Sequence, residues 1–128
     1  MAVDLPQGIE KVGEISEEVK NILGLSVDVG MPIYIGPSNI VHMEQEHPGV
    51  YRKYFHRLSE MLSSPDYVGV NSKDGSIEYI KAMGQYLKIA VRISSDGFLF
   101  VRSMYPITRN TVLKRERAGA LKRLTKSK

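Results

Sequence analysis

The pattern of apolar and polar positions changes from a helical period to strand alternation about halfway along the chain. Before that point, apolar residues recur three or four positions apart over residues 15–23 and 50–62, which predicts two amphipathic helices. Ser16 is the expected N-cap of the first helix, and Gly24 is expected to end it. The second helix is predicted to begin at Pro48, because proline is favoured in a first helical turn.

A short strand and a further helix are predicted between these two. Residues 33–35 are apolar and are followed by a Gly-Pro pair, which favours a strand that ends in a turn. Ser38 or Asn39 is the expected N-cap of a helix that runs toward His47 and is limited by the proline after it.

Four segments in the second half alternate between apolar and polar residues and are predicted to be strands: YVGVN, SIEYIKAM, QYLKIAVRIS and FLFVRSMY. Turn signals join them at residues 73–75 and 95–97. In the third segment, the odd-numbered positions of residues 87–93 are apolar and share one face, while the other face carries Lys88 and Arg92. The prediction is an α+β domain, with N-terminal helices packed on a four-stranded antiparallel β-sheet.

Three parts of the chain are distinguished by these patterns. Residues 1–30 are predicted to form an N-terminal helical extension, and residues 31–113 the main α+β domain. Residues 114–128 contain seven basic residues and one acidic residue, and are predicted to form a short basic helix or tail. Such a tail either serves as a solvated end of the chain or binds phosphate groups.

The composition restricts the available chemistry. The 128 residues suit one compact domain and include no cysteine, which excludes thiol catalysis, cysteine-bound zinc and iron–sulfur clusters. No apolar run reaches the roughly 18 residues that span a bilayer, and the first residues lack the features of a signal peptide. We therefore expect a cytoplasmic protein without membrane contact.

The charge is distributed unevenly along the chain. Residues 1–47 contain eight acidic and two basic residues, whereas residues 48–128 contain sixteen basic and six acidic residues. A basic portion of this kind attracts phosphate backbones. A mixed, solvated surface with a basic tail accounts for the charges equally well.

All three histidines lie within residues 39–58. His42 and His47 are five positions apart, or about 140° around a helix, whereas a zinc-binding H-E-x-x-H helix has its histidines four positions apart on one face. His56 falls on the polar side of the second helix and is expected to be solvated. No metal site and no cofactor are predicted.

Other signatures of catalysis are missing from the sequence, which has no G-x-S-x-G elbow, P-loop or dinucleotide fingerprint. Histidine, cations and hydroxyls remain, and these suffice for metal-free RNA cleavage. In that reaction a base removes the 2′-hydroxyl proton, an acid protonates the leaving 5′-oxygen, and Lys or Arg stabilises the phosphorane. The aromatic side chains that suit either stacking on RNA bases or the core are Tyr34, Tyr67, Tyr79 and Phe100.

One long stretch of the chain is similar to a known group of proteins. The segment IGPSNIVHMEQEHPGVYRKYFHRL, followed by SSPDYVGV, SIEYIKAM, YLKIAVRIS and FLFVRSMYPI, resembles the phage-associated nuclease-like domains of the barnase–EndoU–colicin–RelE (BECR) fold group. The resemblance covers roughly residues 31–120. It implies helices packed on a four-stranded antiparallel sheet and an endoribonuclease of a phage or mobile element, with a toxin-like function.

The resemblance also implies a set of catalytic residues. His42 and His47 match its helical histidines, Lys81 and Arg92 its cations, and Ser103 its late-strand hydroxyl. His42 is expected to act as base or acid, the two cations to contact the phosphate, and Ser103 to hydrogen-bond the substrate. Structural alternatives exist for His47 as a cap at the following proline, for both cations on a solvated sheet face, and for Ser103 as an ordinary strand hydroxyl.

The residues predicted to bind the substrate are Lys88, Arg102, Tyr105 and Arg109. The expected partners are RNA and a neutralising immunity or antitoxin protein. Two other functions fit the same sequence. One is a catalytically inactive nucleic-acid-binding module of the same fold, and the other is a protein-interaction module of a mobile element that uses its acidic N-terminal region.

Overall fold

The computed structural model describes residues 8–124, so residues 1–7 and 125–128 of the predicted terminal segments lie outside the described range. The strands are β1 (Glu10–Glu14), β2 (Pro32–Ile35), β3 (Tyr67–Val70), β4 (Ile77–Ala82), β5 (Tyr86–Ile93), β6 (Leu99–Ile107) and β7 (Leu121–Arg123). The α-helices are α1 (Glu17–Leu23), α2 (Pro37–Glu46), α3 (Pro48–Tyr54), α4 (Leu58–Ser63) and α5 (Arg109–Arg117), with a 3₁₀ turn, Phe55–Arg57, between α3 and α4. The α+β class is confirmed. Within the described range, none of the helices has the length and apolar composition needed to cross a membrane.

The described residues form one seven-stranded sheet in the order β1-β2-β6-β5-β4-β3-β7. The four predicted strands are β3 to β6, and they pair as consecutive antiparallel neighbours, as predicted. The prediction of a four-stranded sheet is wrong, because β1, β2 and β7 extend the sheet at its two edges. β2 pairs in parallel with β6, and β1 pairs antiparallel with β2.

The two outermost strands lack the alternating pattern that identifies the others. In β1, Gly13 lies against Leu62 of α4, and a Cβ atom at this glycine would be 3.1 Å from a Leu62 methyl carbon. β7 has one buried apolar residue, Leu121, among basic residues. Its start approaches β3 so closely that a side chain at Gly69 would collide with the Ala120 carbonyl. Tertiary packing therefore forms both strands without a periodic sequence signal.

Several local signals act as predicted. The Ser16 hydroxyl accepts a hydrogen bond from the Val19 N–H at 3.1 Å, and Gly24 ends α1 with φ at 64°. The turns before β4 and β6 contain Gly75 and Gly97 with φ at 76° and 87°. Glycine adopts this left-handed region without the strain that a side chain causes.

The prediction of Ser38 or Asn39 as the N-cap of α2 is wrong. The cap is Gly36, and Pro37 is the first helical residue, a position where its missing N–H costs nothing. The Asn39 side chain instead accepts a hydrogen bond from the Gly36 N–H at 2.9 Å. α3 begins at Pro48, as predicted.

The basic helix predicted near the C-terminus is present as α5. The residues that follow it, up to residue 124, do not form a solvated tail. β7 pairs antiparallel with β3. Leu121 and Leu124 are only 1% and 7% exposed. This segment is therefore an edge of the sheet, and the predicted four-stranded sheet did not include it.

The principal core lies on one face of the sheet, where α1 to α4 pack. Its sheet residues include Ile33, Val68, Tyr79, Leu87, Ile89, Val91, Val101 and Met104. Its helical residues include Val19, Met43, Tyr54, Leu58, Met61 and Leu62. On the opposite face, a smaller core joins α5 to the sheet through Tyr67, Ile80, Val112 and Leu121. α5 covers only part of that face, and the remainder is partly accessible.

Candidate active site

The accessible part of the sheet carries ionisable, aromatic and hydroxyl groups on neighbouring strands. The antiparallel register places Lys88 of β5 opposite Tyr105 of β6, and Ala90 opposite Ser103. Side chains alternate between the two faces of a strand, and Ile89 is in the principal core. The other four side chains therefore lie on the face away from α1 to α4, which we call the open face.

A buried carboxylate binds two cations on the open face. Glu78 of β4 is 1% exposed and accepts hydrogen bonds from Lys88 Nζ at 2.9 Å and from Arg115 Nη2 of α5 at 2.6 Å. The Lys88 and Arg115 side chains are 12% and 24% exposed. One anion and two cations leave a local excess of positive charge, which is where a phosphate would be attracted.

The charges of this cluster are mutually stabilised. Burial alone would raise the pKa of Glu78, but the hydrogen bonds and charges of Lys88 and Arg115 lower it below the ordinary glutamate value. Burial alone would likewise lower the pKa of Lys88, but its interactions with Tyr105 and Glu78 raise it above the ordinary lysine value. Glu78 and Lys88 are therefore both charged at neutral pH.

Tyr105 connects this cluster to His47. Lys88 Nζ lies 5.0 Å from the centre of the Tyr105 ring, which is within cation–π range. The imidazole ring of His47 stacks on the same ring, with centroids 5.8 Å apart and planes inclined by 23°. Between residues 8 and 124, the His47 ring nitrogens have no hydrogen-bond partner, so they are available to hydrogen-bond a ligand.

The helix junction fixes the position of His47. α2 ends at Glu46 and α3 begins at Pro48, so His47 is the single residue between the two helices. Its N–H donates to the Met43 carbonyl at 3.1 Å, and its carbonyl accepts from the Tyr51 N–H at 2.9 Å. The backbone of His47 thus serves both helices, and its side chain remains available for another function.

The short length of β2 gives this junction access to β6. Of the residues of β6, only Leu99 and Phe100 at its start pair with β2. α2 and α3 both contact β6, and the stacking of His47 on Tyr105 places the later part of that strand beside the junction. This arrangement allows a histidine from the helical layer to reach an aromatic ring on the open face.

A comparison with protein families identifies the chain. Residues 10–114 match the family described as PBECR3, phage-Barnase-EndoU-ColicinE5/D-RelE like nuclease3. The chain belongs to this nuclease family. The matched range contains His47, Glu78, Lys88 and Tyr105, and it ends one residue before Arg115. The resemblance found in the sequence is confirmed, and no curated protein and no solved structure matches the chain.

The three histidines of this family member have different surroundings. His47 lies at the open face, whereas His42 is exposed on α2, with Nε2 3.2 Å from Glu46 Oε1. In the described range, His42 has no contact with the Glu78 cluster. His56 is exposed in the 3₁₀ turn, as predicted. Among residues 8–124, no three His, Asp or Glu side chains form a group that would hold a metal ion.

Lys81 lies apart from the cluster of Glu78, Lys88 and Arg115. In the β4–β5 register it is opposite Leu87, so its side chain leaves the sheet on the side of the helices. Its ammonium donates to the Ser64 carbonyl at 2.6 Å, at the end of α4. Arg109 is exposed at the start of α5. The substrate contacts predicted for Lys81 and Arg109 therefore involve other parts of the surface than the cluster around Lys88.

Ser103, Arg92 and Arg102 lie toward the other end of β5 and β6. The pair of Ala90 and Ser103 lies two residues further along β5 than the pair of Lys88 and Tyr105. Arg92, two residues further again, lies opposite Phe100. The register shifts at Arg102, which has no opposite residue in β5. Such a bulge bends the strand and re-aims its side chains. Of the predicted site residues, His47, Lys88, Tyr105 and Ser103 are therefore close together, and the two arginines form a separate group.

Two members of the cluster were missed in the sequence. An acid between Ile77 and Tyr79, in an apolar strand, is a sequence signal for a buried, paired carboxylate, and Glu78 has this position. Arg115 gives no comparable signal, because nothing in the sequence distinguishes it from the other basic residues of α5. Its partner lies 37 positions away, so the pairing becomes visible only in the fold.

Proposed function

We propose that this nuclease is a metal-independent endoribonuclease that cleaves RNA through attack by the 2′-hydroxyl group. The observation that carries the proposal is the stacking of His47 on Tyr105, 5.8 Å between centroids, beside the Lys88 ammonium at 5.0 Å from the same ring. A proton-transfer group and a cation thus flank one position on the open face. Both are required next to a phosphodiester that is cleaved without a metal.

The reaction would proceed as a transesterification. The 2′-oxygen attacks phosphorus and its proton passes to His47, while the bond from phosphorus to the 5′-oxygen breaks. The leaving 5′-oxygen takes a proton from the Tyr105 hydroxyl or from water. The products are a 2′,3′-cyclic phosphate and a 5′-hydroxyl end. The substrate supplies the nucleophile, which agrees with the absence of cysteine and of a serine elbow from the sequence.

Lys88 and Arg115 would stabilise the negative charge that develops on the phosphorane oxygens. Glu78 is a positioning residue, because its oxygens hold both cations and it is buried too deeply to reach a substrate. Ser103 would donate a hydrogen bond to a phosphate oxygen. His42, the predicted base or acid, has no role in the proposed reaction.

A toxin-like function in a phage or mobile element, with a neutralising immunity or antitoxin protein, belongs to the same proposal. The family description supports the phage association. A neutralising partner that blocks the open face would have to meet its excess of positive charge, so an acidic surface is expected on that partner.

The test is incubation of the purified protein with total RNA in EDTA. The proposal predicts discrete fragments with cyclic phosphate or 3′-phosphate ends, and no cleavage of DNA, which lacks the 2′-hydroxyl. Loss of activity in EDTA, restored by one divalent ion, would contradict the metal-independent reaction. RNA that is bound and left intact would indicate the inactive nucleic-acid-binding module, and no interaction would favour the protein-interaction module.

A further inference from the structure

A groove on the surface is separate from the cluster around Lys88. Its volume is about 480 Å³, and it lies where the last residues of β5 meet the start of β6 and of α2. The side chains that matter for its chemistry are Ser38, Asn39, Arg92, Phe100 and Arg102. The groove thus combines an aromatic ring with two guanidinium groups and with hydroxyl and amide groups.

The aromatic ring that lines the groove packs against other aromatic rings. Phe100 is partly exposed, and its ring lies 6.0 Å from that of Tyr34, which in turn meets the Phe98 ring at 6.1 Å. Tyr34 is 7% exposed, so it supports Phe100 and offers little surface of its own. A partly exposed ring that is fixed by its neighbours is a suitable platform for a nucleic-acid base.

The two arginines of the groove lie beside a carboxylate of the protein, that of Asp74. Arg102 Nη1 lies 3.7 Å from Asp74 Oδ2, a loose contact in which the arginine side chain is 48% exposed. Hydrogen bonds from Ser76, and then the charges of Arg92 and Arg102, lower the pKa of Asp74. The Asp74 carboxylate therefore stays ionised beside both arginines, where a phosphate would also be attracted.

The spacing connects the groove to the proposed cleavage centre. Arg92 is four residues from Lys88 on β5, and both side chains lie on the open face. Four residues of a β-strand span about 13 Å. An extended single strand with its scissile phosphate at Lys88 would therefore pass over the groove with a nucleotide that is close to the cleaved bond but not adjacent to it.

We propose that this groove is a second subsite that binds a nearby, non-adjacent nucleotide of single-stranded RNA without cleaving it. The base lies against Phe100, the phosphate is bound by Arg92 and Arg102, and Asp74 competes with that phosphate. The choice of RNA as ligand rests on the proposed function. The subsite itself is tested by binding alone, so its failure is distinguishable from a failure of the cleavage reaction.

The first measurement is the affinity of the full chain for a short single-stranded 2′-O-methyl oligonucleotide, which cannot be cleaved through its 2′-oxygen. We expect Arg102→Ala to weaken binding about ten-fold and to reduce the salt slope by about one. Arg57→Ala is the matched control. Arg57 is 44% exposed and pairs with Glu60 at 2.9 Å, but it lies near the helices of the other face. Equal effects of the two substitutions would overturn the subsite.

The second measurement uses Asp74→Asn, which tests the competition directly. Asp74 Oδ1 accepts hydrogen bonds from the Ser76 N–H and hydroxyl, whereas Oδ2 faces Arg102. Asparagine keeps one oxygen for Ser76 and removes the negative charge. We expect the affinity for the same oligonucleotide to rise several-fold, while Glu60→Gln, the control beside Arg57, leaves it unchanged. An unchanged or weaker affinity of Asp74→Asn would contradict the competition.

The third measurement separates the base from the phosphate. Phe100→Leu removes the ring and keeps an apolar side chain at this position, so binding of a base-bearing strand should weaken about ten-fold. Binding of an abasic strand should change little, whereas Arg102→Ala should weaken binding of both strands. The melting temperature of each variant serves as the control for folding. Equal losses of Phe100→Leu on the two strands would overturn the assignment of the base.

Discussion

The imidazole ring of His47 is stacked on the phenol ring of Tyr105, with centroids 5.8 Å apart and planes inclined by 23°. The ring nitrogens of an imidazole lie in its plane, so a stacked neighbour leaves their hydrogen-bonding directions accessible. The histidine is thereby oriented without losing its ability to transfer a proton. Tyr105 is a positioning residue for His47 through its ring, and its hydroxyl is a candidate acid.

Substitutions of Tyr105 separate these two functions. We expect Tyr105→Leu, which removes the stacked ring, to reduce kcat for RNA cleavage more than Tyr105→Phe, which keeps the ring and removes the hydroxyl. A loss of about 10²-fold or more in the phenylalanine variant would indicate that the hydroxyl acts as the acid. Kinetics with one RNA substrate give both values, and a leucine variant with wild-type kcat would contradict the positioning function.

Glu78→Gln is expected to destabilise the protein at neutral pH by about 3–5 kcal/mol, because it leaves two partly buried cations without their anion. The folded pKa of Glu78 is lowered. Its contribution is therefore fully present above the unfolded value of about 4.3 and is lost as the pH falls through the lower folded pKa. The difference in unfolding free energy between the variant and the wild type should shrink over that acid range.

Urea unfolding of both proteins along a pH series measures this difference. Glu116→Gln is the control, because Glu116 also pairs with an arginine, but its side chain is 27% exposed and that of its partner Arg123 is 62% exposed. It should have a much smaller effect at every pH. A difference for Glu78→Gln that stays constant into the acid range would show that the ionised carboxylate is not the source of the stabilisation.

The sequence and the fold agree where the side chains are periodic. β3 to β6 have clear alternation, and their pairing follows from it. β1 and β7 depend on close contacts at Gly13 and Gly69, and no periodic pattern records such contacts. These edge strands could therefore not be predicted by the same reasoning.

The candidate site shows the same distinction. The stretch that contains His47 could be singled out because it holds every histidine of the chain. The choice between His42 and His47 depends on the helix junction at Pro48 and on the short pairing of β2, which are tertiary features. Arg115 reaches Glu78 across the fold, and no local pattern records that contact.

Tyr79→Phe is expected to stabilise the protein by about 1 kcal/mol. Tyr79 is 1% exposed, and its hydroxyl has no hydrogen-bond partner between residues 8 and 124. Phenylalanine keeps the ring in the core and removes the unpaired polar atom. Thermal and urea unfolding measure the change, and a clear loss of stability would show that the hydroxyl has a partner, such as a buried water molecule.

Leu121→Ala is expected to lower the free energy of unfolding by about 2–4 kcal/mol, because β7 contributes this buried side chain to the smaller core. Lys122→Ala, at the next and exposed position, should have little effect. Chemical denaturation of the two variants provides the comparison. Similar small effects would mean that the strand is not a stable part of the sheet.

The most direct test of the proposed function compares His47→Ala with His42→Ala in one RNA-cleavage assay, with circular dichroism, melting temperature and RNA affinity measured in parallel. We predict that His47→Ala remains folded, binds RNA and loses about 10²–10⁴-fold in cleavage rate, as expected when a positioned proton-transfer group is removed. His42→Ala, on the exposed side of α2, should retain most of the activity. A His47→Ala protein that cleaves RNA at the wild-type rate would contradict the account, as would a loss of cleavage confined to His42→Ala.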